Sequence, residues 1–223
     1  MNSQMEVLTI NHEVPFVANA KDDMHCYQAC LAMIIKYFDP NRSPNFSQLD
    51  IATGHKPGSG TWPLLGFQYL RSLGIDILTI TPFSYEEFVS DGVEYIRRQY
   101  GDEIADWQKE NNDLESDAKM IAEILPHLEI EKRDPNYEDI LRYLRYFPVM
   151  VSIDSSITRG EDSYTGHFII IRGCNENGLY LNDPGLPARE NIFVERELFE
   201  KAWSAFSGKD SKFLYPIVGN KNI

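Results

Sequence analysis

The chain has 223 residues with 43% hydrophobic and 25% charged side chains, enough apolar material for one sizeable core without disulfide staples. Its net charge of −13 argues against nucleic acid as a partner, because phosphate contacts need clustered Lys and Arg. No apolar run approaches the roughly eighteen residues of a membrane span, and residues 1–17 lack the basic start and apolar block of a secretory signal. The expectation is a cytoplasmic protein with no membrane partner.

Lys21-Asp22-Asp23 reads as a turn before a helix that opens near Cys26. Within 29–38, Ala29, Cys30, Met33, Ile34 and Tyr37 follow helical spacing, so that helix is largely buried. Asp39-Pro40-Asn41 and Lys56-Pro57-Gly58-Ser59-Gly60 are breaks. Ser47 is expected to cap a short helix through Ile51, and Thr61 another over Leu64, Leu65, Phe67, Tyr69 and Leu70 that stops at Gly74. A strand follows over 75–80.

The segment 84–139 holds 17 Asp and Glu against 6 Lys and Arg, a net of −11 in a chain whose total is −13. It is compositionally separate. Spaced apolar positions predict helices over 85–100 and 114–124, with a break at Asn111-Asn112, and another helix over 137–147 closed by Pro148. Strand-like runs cover 149–153, 168–171 and 179–181, with Asn175-Glu176-Asn177-Gly178 as the loop between the last two. A helix over 197–206 and a strand over 213–218 close the chain. Helices first and an antiparallel sheet later indicate an α+β fold.

Three cysteines cannot all pair, and a bridge between Cys26 and Cys30 would be strained, so free thiols in a reducing compartment are expected. The five histidines are scattered without zinc-type spacing to Cys, Asp or Glu, so no metal and no cofactor is expected. Cys26, at a helix start, gains thiolate character from the helix dipole and the unpaired first-turn amides; a helix cysteine is also commonly a small buried hydrophobe, which fits Cys30. Cys174 is read as structural. His167 opens an aliphatic strand. With a hairpin loop of three or five residues it would lie opposite Asp183; a loop of four would put the two on opposite faces. An Asp-Pro-Gly turn at 183–185 is also a common structural feature. Taken together, a helix-start Cys, a strand-start His and an Asp on the neighbouring strand supply a nucleophile, a base and the group that orients the base.

These residues resemble the papain-like peptidases that process bacteriocin double-glycine leaders, and their stand-alone relatives. His25-Cys26-Tyr27-Gln28-Ala29-Cys30 with the helix to Phe38 is similar to that family's nucleophile helix. Gly60-Thr61 with the helix to Leu73 resembles its second helical element. Gly166-His167-Phe168-Ile169-Ile170-Ile171-Arg172-Gly173 followed by Leu179-Tyr180-Leu181-Asn182-Asp183-Pro184 is the specific part. The resemblance implies a papain-like α+β domain over 1–223, with Cys26 as nucleophile, His167 as base and Asp183 as its partner. Two positions depart from the family pattern: Tyr27 replaces the usual Gly after the nucleophile, and Ala20 replaces the Gln whose amide stabilises the oxyanion. Asn19 is the candidate replacement donor.

The resulting expectation is a cysteine-dependent hydrolase, a peptidase or amidase, acting on a peptide or amide substrate through an acyl-enzyme. The alternatives are a papain-like acyl or peptidyl transferase, and a peptide-binding relative. No transporter or ATP-binding segment is present, so leader processing during export is not expected within this polypeptide. The acidic segment, at about 84–139, is expected to be a helical insertion that shapes access to the cleft, or else one that faces away and serves solubility or self-association. The oligomeric state is left open.

Overall fold

The structure, a computed structural model, describes residues 9–58, 61–206 and 212–220. Residues 1–8 and Ser59-Gly60, which carry part of the readings of the lead-in and of the second helical element, lie outside the described residues. No helix among the described residues is long and apolar enough to cross a membrane.

After a two-residue strand β1 (Ile10–Asn11), α1 (Cys26–Phe38) buries nearly all of its length. Asn45, not Ser47, caps α2 (Phe46–Thr53), because Asn45 and Gln48 form a reciprocal capping box. α3 (Leu64–Ser72) starts after Pro63 without a side-chain cap; Thr61 bonds instead with His55 and Gln28. β2 (Ile75–Thr81) follows. The acidic segment is four short helices, α4 (Tyr85–Asp91), α5 (Val93–Tyr100), α6 (Asp102–Asn111) and α7 (Leu114–Ile124). Gly92 and Gly101, at φ of +55° and +91°, make the breaks at either end of α5.

The sequence pattern predicts a helical segment, and the structure departs from that in part. The segment also contributes β3 (Glu129–Lys132), a strand with one apolar residue that pairs in parallel with β2. α8 (Tyr137–Leu144), β4 (Val149–Asp154), α9 (Ser155–Arg159), β5 (Gly166–Asn175), β6 (Gly178–Asp183), β7 (Arg189–Glu195), α10 (Arg196–Ala205) and β8 (Phe213–Asn220) complete the chain. The strands form one sheet in the order β3-β2-β8-β4-β5-β6-β7, with β1 on β5. Met150, Ile170, Tyr215 and Ile217 point to a core shared with α1, α3 and the acidic helices. Their alternates Val149, Val151, Ile169, Ile171 and Leu214 point to a second core under α8 and α10. The fold is α+β, a sheet covered on both faces.

Candidate active site

The β5–β6 hairpin decides whether His167 and Asp183 can meet. The strands run to Asn175 and Gly178, so the loop is two residues, Glu176 and Asn177, and not the predicted four. A two-residue loop has the same parity as a four-residue one and would by itself put the two side chains on opposite faces. A bulge at Arg172 changes the outcome: pairing runs Gly173↔Tyr180 on one side of it and Ile171↔Leu181 on the other. The extra residue shifts the register by one. Asp183 then falls on the face of Ile169 and His167, diagonal to His167 and not directly across from it. The bulge is pinned from the lead-in, where Arg172 Nε donates to the His12 carbonyl (2.9 Å) and the His12 N–H donates to the Arg172 carbonyl (2.8 Å).

His167 Nε2 contacts Asp183 Oδ1 at 2.8 Å, and both residues are buried. The same oxygen accepts the Gly185 N–H at 3.0 Å. Asp183 Oδ2 accepts from Arg159 Nη2 (2.8 Å) and from Arg189 Nη2 and Nε (2.7 and 3.1 Å). These two arginines were not singled out from the sequence; Arg159 lies on a five-residue helix and Arg189 on a strand that the apolar pattern did not predict. Gly185 leaves no room for a side chain, since a Cβ there would sit 2.7 Å from His167 Cε1.

Cys26 is partly exposed, and its thiol is hydrogen-bonded with His167. Burial pushes the thiol up, but the hydrogen bond and charge of His167 outweigh it, with the Phe168 and Tyr27 amides adding to the effect, and the net shift is down. For His167 burial acts downward; the partners Asp183 and Cys26 prevail and push it up to about 9. Asp183, although buried, is held well below the usual carboxylate range by His167 and the arginines. Cys30 and Cys174 are buried, and burial raises both thiols. No disulfide joins the three.

Asn19 is buried and organises the loop before α1. Its Oδ1 accepts the N–H groups of Ala20 (2.9 Å) and His25 (2.7 Å), and its Nδ2 donates to Asp23 Oδ1 at 2.7 Å. The Asn19 N–H donates to the Pro184 carbonyl (2.9 Å) and the Leu186 N–H to Asp23 Oδ1 (3.1 Å), so this loop is stitched to the one that follows Asp183. Tyr27 fills a space that α3 provides: its hydroxyl donates to the Pro63 carbonyl, and its ring lies 4.8 Å from that of Phe168. The fold also gathers a group that spacing alone did not suggest. His25, Asp50 and His55 place ligand-capable atoms within 4.8 Å of one another beside the start of α1.

The family model described as "Peptidase_C39 like family" matches residues 11–211. No curated protein matches the chain. Among solved structures the chain is similar to a Bacillus anthracis protein assigned as a C39-like peptidase, at 14% identity and a TM-score of 0.50, over 96% of this chain and 100% of that one. Two other similarities are to a double-glycine motif protease from an AMS/PCAT transporter in complex with the leader peptide (13% identity, 96% and 99% covered, TM-score 0.49) and to the peptidase domain of Streptococcus ComA, described as a bifunctional ABC transporter involved in quorum sensing (13%, 92% and 98%, 0.48). At these identities the likeness is one of fold, the papain-like α+β arrangement of C39 peptidases.

Proposed function

The chain belongs to the C39-like peptidase family, and on that premise we propose that it is a cysteine peptidase or amidase in which Cys26, His167 and Asp183 act as a triad. The observation that carries this reading is the unbroken chain of contacts from the Cys26 thiol through His167 to an Asp183 held by two arginines. The thiolate attacks the carbonyl carbon of a peptide or amide bond. The His167 imidazolium gives its proton to the departing amine, which leaves a thioester on Cys26. His167, now neutral, takes a proton from water as that water attacks the thioester, and the acid product leaves with the thiolate restored.

The Cys26 N–H lies in the first turn of α1, where helix geometry provides no intrahelical acceptor, and it is one oxyanion donor in this proposal. The second Nδ2 proton of Asn19 is the other candidate, and its commitment to Asp23 favours slow turnover. The chain is read as one papain-like domain, with the acidic segment as an insertion beside the cleft. The test is turnover of a peptide library by wild type and by Cys26→Ala and His167→Ala, together with iodoacetamide labelling near pH 6. Cys26 should be alkylated well ahead of Cys30 and Cys174, and both variants should lose activity by about a thousandfold or more. Equal labelling of the three thiols, or equal turnover by Cys26→Ala, rejects the mechanism. An added amine that diverts product into a new amide would identify acyl transfer in place of hydrolysis.

A further inference from the structure

His25 stands immediately before the nucleophile, Asp50 lies on α2, and His55 follows the left-handed Gly54 that ends α2. His25 Nε2 is 3.2 Å from Asp50 Oδ1, close to the ~3.4 Å edge of a tetrahedron with zinc–ligand bonds of about 2.0–2.1 Å. The His25 and His55 ring centroids are 4.6 Å apart, with the ring planes tilted by 50°.

Two further features point to a cation at the centre of this group. Asp50 Oδ1 is buried and accepts no hydrogen bond from the described residues, a costly state for a carboxylate oxygen. His25 Nδ1 is 3.0 Å from Asp22 Oδ1, where it can donate to that carboxylate, and Nε2 is the ring nitrogen directed at Asp50. Two acceptors 3.2 Å apart repel unless positive charge stands between them. That charge is either a proton on Nε2, which makes the two groups an ion pair, or a cation that both groups share. A carboxylate behind an imidazole is also how proteins orient a ligating histidine. On the third residue, His55 Nδ1 bonds with Thr61 Oγ1 at 3.0 Å, so Nε2 is the nitrogen left for a ligand.

We propose that His25, Asp50 and His55 bind one divalent transition-metal ion of the zinc class, with water completing the coordination. Two imidazoles and one carboxylate suit such an ion and not Mg²⁺ or Ca²⁺, which take all-oxygen shells. Binding draws His55 inward by roughly an ångström. The ion then ties His25, the residue just before α1, to the end of α2, and so braces the loop that presents Cys26.

The test uses Zn²⁺ titration of the full chain carrying Cys26→Ser, because a catalytic thiolate would bind zinc on its own account. One equivalent should bind, and Co²⁺ should give the visible bands of a nitrogen–oxygen site with no thiolate charge-transfer band. On the same background His55→Ala and Asp50→Asn should each weaken binding at least tenfold, and Asp22→Asn, which only orients His25, by about tenfold. Circular dichroism confirms that each variant is folded, and His55→Gln replaces His55→Ala if that variant is not. Zn²⁺ should raise the Tm of Cys26→Ser but not of Cys26→Ser/His55→Ala. Absence of saturable binding in Cys26→Ser, equal binding after loss of His55 or Asp50, or equal affinity for Mg²⁺ would overturn the proposal.

Discussion

Asp183 serves His167 through Oδ1 and two guanidinium groups through Oδ2, so a single buried carboxylate stands among three cations. Under the proposed mechanism the active form has Cys26 deprotonated and His167 protonated. Activity therefore rises with pH through the Cys26 pKa, which His167 holds below its ordinary 9.0, and falls as His167 loses its proton near 9. In chelator-treated enzyme kcat/KM should trace a bell with its alkaline limb near pH 9. Asp183→Asn removes the carboxylate charge and leaves Arg159 and Arg189 facing the imidazole uncompensated. Both changes disfavour the imidazolium, so the alkaline limb should move to lower pH by about one unit or more. A variant that loses activity while its alkaline limb stays in place would show that Asp183 does not set the His167 proton.

At the scale of elements, packing compensates for a large residue where the family pattern has a glycine. Tyr27 reaches α3 at Gly66, where a Cβ would lie 2.1 Å from the Tyr27 hydroxyl oxygen and 2.8 Å from Leu31 Cδ1. Gly66→Ala should cost about 1–3 kcal/mol of stability through overpacking, read as a lower denaturation midpoint. Tyr27→Phe removes the atom in closest conflict, so the double variant should be more stable than the sum of the two single changes predicts; strict additivity would show that the clash is taken up elsewhere. What could be read from the sequence follows the same division. α1, β2, β4 and β5 are long or strongly patterned, and their apolar spacing marks them. β3 has only Ile130 as an apolar residue and β7 runs Arg-Glu-Asn before Ile192, because both are sheet edges with little to bury. The Arg172 bulge is invisible locally, since its partner His12, and β1 beside it on Gly173 and Cys174, come from the far end of the chain. Cys26, His167 and Asp183 stand out because each sits at the end of an element. Arg159, Arg189 and the His25–Asp50–His55 group do not, because only tertiary contacts bring them together.

Across the whole molecule the negative charge is uneven, and the ion pairs show which carboxylates are available to act at a distance. Arg97 is held by Asp102 and Asp106 at 2.7 and 2.9 Å, Arg98 by Asp91, Lys119 by Glu115, Lys132 by Glu87, and Arg133 by Asp139. Glu103, Glu110 and Glu123 are exposed and pair with no cation among the described residues. The segment packs on Trp62, whose ring stacks on Phe88 at 5.0 Å and hydrogen-bonds with Asp117. Trp62 follows Thr61, which bonds with His55 next to His25. A field from unpaired carboxylates there would raise the local concentration of cationic substrates and oppose anionic ones, over the ~10 Å that 0.1 M salt allows. Replacing Asp102 or Asp106 would release Arg97 and confuse the result, so the triple change Glu103→Gln, Glu110→Gln and Glu123→Gln is the cleaner test. At low ionic strength it should lower kcat/KM severalfold for a cationic peptide and little for a neutral one, and the gap should close as salt is added. If both substrates change by one factor, or if the difference persists in high salt, the acidic segment does not steer substrate and its charge serves another purpose.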